Sequence, residues 1–293
     1  MTRSVDQPYP GTRPFEHTDI DLFFGRAADA AALAQLWQAN RLTLAVGRTG
    51  CGKTSLLRAG VLPLVEGGRA DVLPPGRISY GSTYPVAALP EHNPYTLALL
   101  GAWAPGEPTS RLVGLTVLDS VRRRAERHDR PILAVIDEAD ELLADPGLRR
   151  SHRRGFMAEL AQAVQQEPRL HLLMMIREPA LDEFSRALGM GARYDVEPLS
   201  FGSALEAVTG PVEGTGRTFA PGAAEELVTD LLTSYRTGDD GQQRCAAAEF
   251  VQPLLLQIVC ARLWESLPAD LKVITPRDVR GYGNADRALA ALP

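Results

Sequence analysis

The chain has 293 residues, 45% of them hydrophobic and 23% charged, a balance that excludes wholesale disorder and supplies a core for one large domain or a domain with a smaller companion. Its net charge of −5 gives no global electrostatic reason to bind nucleic acid, and its longest apolar runs, such as 132–136 and 172–176, are far shorter than a membrane span. With no apolar leader in MTRSVDQPYPGTRPF, and with Cys51, Cys245 and Cys260 too scattered for a zinc site or a disulfide framework, the expected setting is the reducing cytoplasm, away from membranes.

In chain order, residues 1–26 are rich in proline, glycine and polar groups and read as an arm or loop that ends in LFFGR. An alanine-rich helix follows over 27–38, with Leu33, Leu36 and Trp37 on one face, and then a short buried strand over 42–46. A glycine loop and a second helix come directly after it. Between 66 and 106 the chain is loop-heavy, with one strand at 78–81 and a helix after Asn93-Pro94 that carries Leu97, Leu100 and Trp103. A longer helix is expected over 109–128. Apolar runs at 132–136, closing on Asp137-Glu138, and at 170–176, closing on Arg177, complete a set of three strands separated by helices. That alternation predicts an α/β fold with a parallel sheet sandwiched by helices. After Glu197-Pro198 the strand signals stop, and 202–209, 221–235, 248–266 and 276–292 read as helices, with a polar loop at 237–244. The expected division is an arm over 1–26, a nucleotide-binding domain over 27–198 and a small all-α lid over 199–293.

AVGRTGCGKTSLLRAG, residues 45–60, carries the clearest chemistry. Gly47, Gly52, Lys53 and Thr54 satisfy the phosphate-loop pattern GxxxxGK[ST] between a predicted strand and a predicted helix, the context that pattern requires. Glycines let backbone N–H groups close around phosphates, the helix start adds a favourable dipole, Lys53 supplies a point charge and the Thr54 hydroxyl can ligate Mg²⁺. Lysine is scarce: of 31 basic residues only Lys53 and Lys272 are lysines. The candidate nucleotide-binding stretch is therefore Gly47, Arg48, Thr49, Gly50, Cys51, Gly52, Lys53, Thr54 and Ser55, with ATP or ADP and Mg²⁺ as the expected cofactors.

A magnesium–nucleotide site also needs a carboxylate at the end of a neighbouring strand, and Asp137 has that position, with Thr54 as the other metal ligand. Glu138 is placed to polarise an attacking water, against the plain alternative of a solvated helix-start glutamate. Arg177 ends the third strand as a candidate γ-phosphate sensor, with a salt bridge to Glu178 or Asp182 as the competing account. Cys51 reads as a small filler in the loop rather than a redox device. The arginine clusters 122–130 and 149–154 are open to three readings: solvated helix faces, an arginine given to a neighbouring subunit, or contact with a nucleic-acid backbone. The letters D-E-A-D at 137–140 suggest a helicase, but no second ATPase-like lobe follows.

Together with PYPGTRPFEHTDIDLFFGR and EFVQPLLLQIVCARLWESLP, these residues resemble the STAND class of signalling NTPases, and in particular its bacterial novel STAND group. In that group a GLRPF…FFGR stretch precedes the phosphate loop. Gly11, Arg13, Pro14, Phe15, Phe24, Gly25 and Arg26 take the corresponding places, and the resemblance implies that Phe24, Gly25 and Arg26 lie on the adenine side. It also implies that Pro253 is the lid proline that lies against the nucleotide. The glycine that usually precedes that proline is absent, Phe250 or Val251 standing in its place, and Ala139-Asp140-Glu141-Leu142 replaces a frequent Phe-Glu-Glu-Leu run. The family's function is a switch: ADP-bound at rest, opened by exchange for ATP, then self-associating to engage an effector, with weak hydrolysis and a role in bacterial defence signalling. Family members continue into winged-helix and sensor regions, so the chain reads as part of a longer protein with an unidentified sensor and effector. The alternative is a free-standing AAA-like ATPase acting as a remodelling or DNA-associated motor.

Overall fold

The computed structural model describes residues 7–78, 92–144, 150–237, 243–247 and 249–282. In chain order, α1 (Ala27–Ala39) leads to β1 (Leu42–Val46), and the glycine loop then opens α2 (Lys53–Ser55), a π-helical stretch Leu56–Val61 and α3 (Leu62–Val65). Next come β2 (Asp71–Val72), β3 (Gly76–Arg77), α4 (Pro94–Trp103), α5 (Thr109–Leu112) and α6 (Val117–Arg127). They are followed by β4 (Ile132–Asp137), α7 (Arg150–Gln166), β5 (Leu170–Ile176), α8 (Leu181–Leu188) and β6 (Ala192–Asp195). The remainder holds α9 (Phe201–Thr209), β7 (Thr218–Phe219), α10 (Ala223–Leu232), β8 (Thr233–Thr237), β9 (Gln243–Ala247), α11 (Pro253–Ser266), β10 (Val273–Ile274) and α12 (Pro276–Tyr282). The backbone groups into two compact units, one of residues 31–48 and 64–196, the other of residues 1–30, 49–63 and 197–293.

The first unit is built on a parallel sheet in the order β2-β4-β5-β1-β6, with β3 also paired to β4. Every residue of β1 and β4 is buried, which is why both read as unbroken apolar runs: a parallel strand covered on both faces has no polar side to show. Leu42 to Val46 lie opposite Leu172 to Ile176, and Ile132 to Ile136 lie opposite Leu170 to Met174, so the three central strands end on one edge. Trp103, Phe156, Phe184, Leu99 and Ile136 are among the side chains that close the core. The expected α/β class, a parallel sheet flanked by helices, is what forms.

Three details differ from the sequence reading. The sheet has six strands. The strands missed are two-residue pieces and β6, whose sequence ARYD alternates half-buried and exposed positions because an edge strand is covered less completely than a central one. The single helix expected over 109–128 is two, α5 and α6, separated at Gly114, whose φ of 78° lies in the left-handed region. Thr116 then restarts the helix with a capping box: its Oγ accepts the Asp119 N–H at 3.1 Å while the Asp119 carboxylate accepts the Thr116 N–H at 3.2 Å. Of the strand expected at 78–81, only Ile78 lies within the described residues, and it follows β3 as a buried loop residue.

The second unit packs α9 to α12 with the arm and the residues after the glycine loop, around Tyr9, Leu227, Val228, Leu256 and Val259. Helices dominate it as expected, but β7 pairs with β10 and β8 with β9. The β7–β10 pair is two residues per strand, too short to register as a period in the sequence, and residues 238–242 of the polar loop lie outside the described residues. Several contacts hold the described part of the arm, from Gln7 onward. Tyr9 donates its hydroxyl to the Val208 carbonyl, Phe15 N–H donates to Ser55 Oγ at 3.1 Å, and Arg58 pairs with Glu16.

Candidate functional site

The glycine loop begins where β1 stops pairing. Gly47 N–H donates to the Ile176 carbonyl at 3.2 Å, and the chain then leaves the sheet. Gly50 and Gly52 have φ of 79° and 86°, a conformation that costs an L-residue about 1 kcal/mol or more. Helix α2 starts at Lys53 directly after Gly52, and Leu56 N–H donates to the Gly52 carbonyl at 2.8 Å. A loop of left-handed glycines that leads straight into a helix, with a lysine as the first helical residue, suits a phosphate chain. Thr54 and Ser55 occupy the same first turn, where Ser55 Oγ is engaged by the Phe15 amide. Cys51 is buried, and that burial, opposed by Lys53 and Arg26, pushes its thiol above the usual range, so it behaves as the apolar filler its position suggested.

Within the same compact unit, Pro253 opens α11 against this loop. A Cβ added at Gly52 would lie 3.6 Å from Pro253 Cβ, one at Gly50 would lie 3.7 Å from Leu254 Cβ, and Leu254 N–H donates to the Gly50 carbonyl at 3.4 Å. Proline at the first position of a helix costs no hydrogen bond, because that N–H has no intrahelical acceptor. The ring is therefore free to serve as a packing surface.

Phe24, Gly25 and Arg26 hold the arm in place. The Phe24 ring packs on Gly210, where an added Cβ would come within 2.4 Å of it. Gly25 has φ of 79° and faces the Ser203 carbonyl. Arg26 is only 6% exposed: its Nη1 donates to Asp29 at 2.8 Å, and its Nη2 to the carbonyls of Cys51 at 3.1 Å and Glu197 at 2.7 Å.

On the sheet unit, Asp137 ends β4 at 1% exposure, its Oδ1 accepting the Glu138 N–H at 3.0 Å. Glu138 follows with φ of 53°, the one positive φ among the described non-glycine residues, so the chain carries local strain at the residue expected to handle water. Arg77, opposite Asp137 in the β3–β4 register, lies 3.3 Å from Glu138 and 3.8 Å from Asp137. Nothing in the sequence pointed to Arg77, since a two-residue strand in a loop-rich stretch has no readable period. Arg177 follows β5, the strand beside β4, and pairs with Asp140 through both its side chain and its N–H rather than with Glu178 or Asp182.

Within the arginine clusters Arg122, Arg124 and Arg153 have side-chain partners, Arg153 lying 3.8 Å from Glu183. Arg124 pairs with Asp71, holding that carboxyl below the usual carboxylate range, and Arg122 donates to Gln166 at 3.2 Å. Arg150, Arg153 and Arg154 line a groove with Met157 and Glu183, and Arg149 lies outside the described residues.

A parallel sheet whose strand β1 runs into this loop, with a buried aspartate closing β4, which is not β1's neighbour as the sequence suggested but lies one strand further on, beyond β5, defines a P-loop NTPase, a class built to bind nucleotide phosphates. The family model described as Novel STAND NTPase 1 matches residues 8–292, and the chain belongs to that family. Among solved structures it is similar to the Walker-type ATPase PABY2304 of Pyrococcus abyssi, at TM-score 0.58 and 17% identity over 95% of this chain and 73% of that one. It is also similar to the ORC2 protein of Aeropyrum pernix in its ADPNP–ADP complexes, at TM-score 0.56 and 13% identity over 92% and 69% of the two chains. The ADP form of that protein gives TM-score 0.55 and 12% identity over the same shares. At such identities the likeness concerns the fold alone. No curated protein matches the chain. Among the described residues no helix is long and apolar enough to cross a membrane.

Proposed function

We propose that the chain is the ATP/ADP-binding switch module of a cytoplasmic signalling NTPase, ADP-bound at rest and self-associating when ATP replaces ADP. One observation carries this reading: the phosphate loop from Thr49 onward belongs to the same compact unit as α9 to α12, with Pro253 against Gly52 and Leu254 bonded to Gly50. A loop that touches the lid helix directly gives the phosphates a means to bias the lid, and a switch needs no second substrate.

Each residue then has a role. Lys53 neutralises the phosphates, the loop amides of 50–54 bind them, and Phe24 and Gly25 serve the adenine side. Thr54 and Asp137 are the Mg²⁺ ligands; a bound magnesium ion supplies charge neutralisation between the phosphates and usually takes few protein groups. Glu138 orients water and Arg177 reports the γ-phosphate. Both are tied to partners, Arg77 and Asp140, which supports weak intrinsic hydrolysis.

Pro253→Ala removes the ring that packs on Gly52 while leaving Lys53 and the loop glycines in place. ADP dissociation should accelerate about fivefold, on the order of 1 kcal/mol of lost contact, with phosphate affinity unchanged. Stopped-flow displacement of a fluorescent ADP analogue measures it, and an off-rate equal to that of the wild type removes the lid from the account.

A further inference from the structure

We infer that Arg26 is a positioning residue of the phosphate loop, fixing the Cys51–Gly52 peptide plane so that the Gly52 N–H faces the phosphates. The inference rests on the loop being a nucleotide site and departs from the adenine-side role that the family resemblance gives this residue.

The geometry is specific. A planar trans peptide points its C=O and N–H in opposite directions, so whatever holds the Cys51 carbonyl also aims the Gly52 N–H. Arg26 Nη2 holds that carbonyl at 3.1 Å and the Glu197 carbonyl at 2.7 Å, while Nη1 is taken by Asp29 at 2.8 Å. Three successive loop carbonyls are thus occupied: Gly50 by Leu254 N–H, Cys51 by Arg26 and Gly52 by Leu56 N–H. With the Cys51 carbonyl held in this way, the Gly52 N–H points to the other side of its peptide plane, while the amides of Cys51 and Lys53 lie beside the Cys51 thiol. A cation on the carbonyl also polarises the peptide and strengthens its N–H as a donor.

Arg26 has little freedom to do anything else. It is 6% exposed, its own carbonyl accepts the Ala30 N–H at 2.9 Å at the start of α1, and Gly25 before it is locked in the left-handed region beside the Ser203 carbonyl. Asp29 balances the charge, so the guanidinium is not an unpaired buried cation. Lysine carries its three donors on a single nitrogen and lacks the planar fork by which Arg26 reaches Asp29 from Nη1 and the two carbonyls from Nη2.

The test compares wild type, Arg26→Lys and Arg26→Gln for binding of ADP, inorganic pyrophosphate and adenosine by calorimetry, with amide exchange over residues 49–56 as a second readout. Loss of one charge-assisted contact and of loop order predicts ADP and pyrophosphate affinities down about tenfold to a hundredfold in both variants, with adenosine unchanged. Amide exchange should quicken over 49–56 and not over the sheet. Weakened adenosine with unchanged pyrophosphate would assign Arg26 to the base and overturn the inference. Equal losses for all three ligands, with a lowered melting temperature, would reduce Arg26 to scaffold and overturn it too. If both variants fail to fold, Asp29→Asn, which loosens the same guanidinium, should still weaken pyrophosphate severalfold, and no change there counts against the inference. A wild type that binds none of the three ligands refutes the nucleotide site itself, which is a separate outcome.

Discussion

Lys53→Ala should lower the affinity for ADP and ATP by more than about a hundredfold and leave the fold intact. The lysine is the first residue of α2, directly after the left-handed Gly52 of the loop that would cradle the phosphates. A charged hydrogen bond contributes about 1.5–3 kcal/mol, and a phosphate chain left without its cation loses more than one such contact. Alanine is a good helix former at a half-buried position in the first turn, so the thermal midpoint should move by no more than about 2 °C. Calorimetric titration alongside a melting curve separates the two effects. Wild-type affinity in the variant would displace the site from this loop.

Gly25→Ala should be the most damaging single methyl group in the arm. Its φ of 79° costs an L-residue about 1 kcal/mol, and the added Cβ would stand 2.1 Å from the Ser203 carbonyl oxygen and 3.0 Å from its carbon. Backbone at the start of α9 cannot rotate away as a side chain would, so the overlap adds about 1–3 kcal/mol of forced displacement. The sum, about 3 kcal/mol, should lower the melting temperature by about 6–12 °C for a chain of this size. Gly67→Ala is the control: its φ is 77° but nothing lies within 4 Å of an added Cβ, so it should show the conformational cost alone. If the two variants melt together, the Gly25–Ser203 contact is not what makes glycine necessary in the arm.

The glycine loop between β1 and α2 was legible because GxxxxGK[ST] fixes particular residues at fixed spacing, and β1, β4 and β5 because a doubly covered strand is an apolar run. Edge strand β6 hid for the opposite reason, its Arg193 and Asp195 being exposed and paired with each other. Arg177 could be read as a strand-end cation, but its partner Asp140 could not, since the pairing depends on which strands are neighbours. Arg26 shows the limit most clearly. Its acceptors on the loop and at residue 197 are backbone carbonyls, which every residue type carries, so nothing in the sequence marks Cys51 or Glu197 as its targets.

The central claim, a resting switch closed on its nucleotide, is tested most directly by denaturing freshly purified protein and identifying the nucleotide it releases, with Lys53→Ala purified in parallel. Near-stoichiometric ADP from the wild type and none from the variant is the predicted result. A wild type that emerges empty and turns over added ATP steadily would contradict the switch and point to a motor.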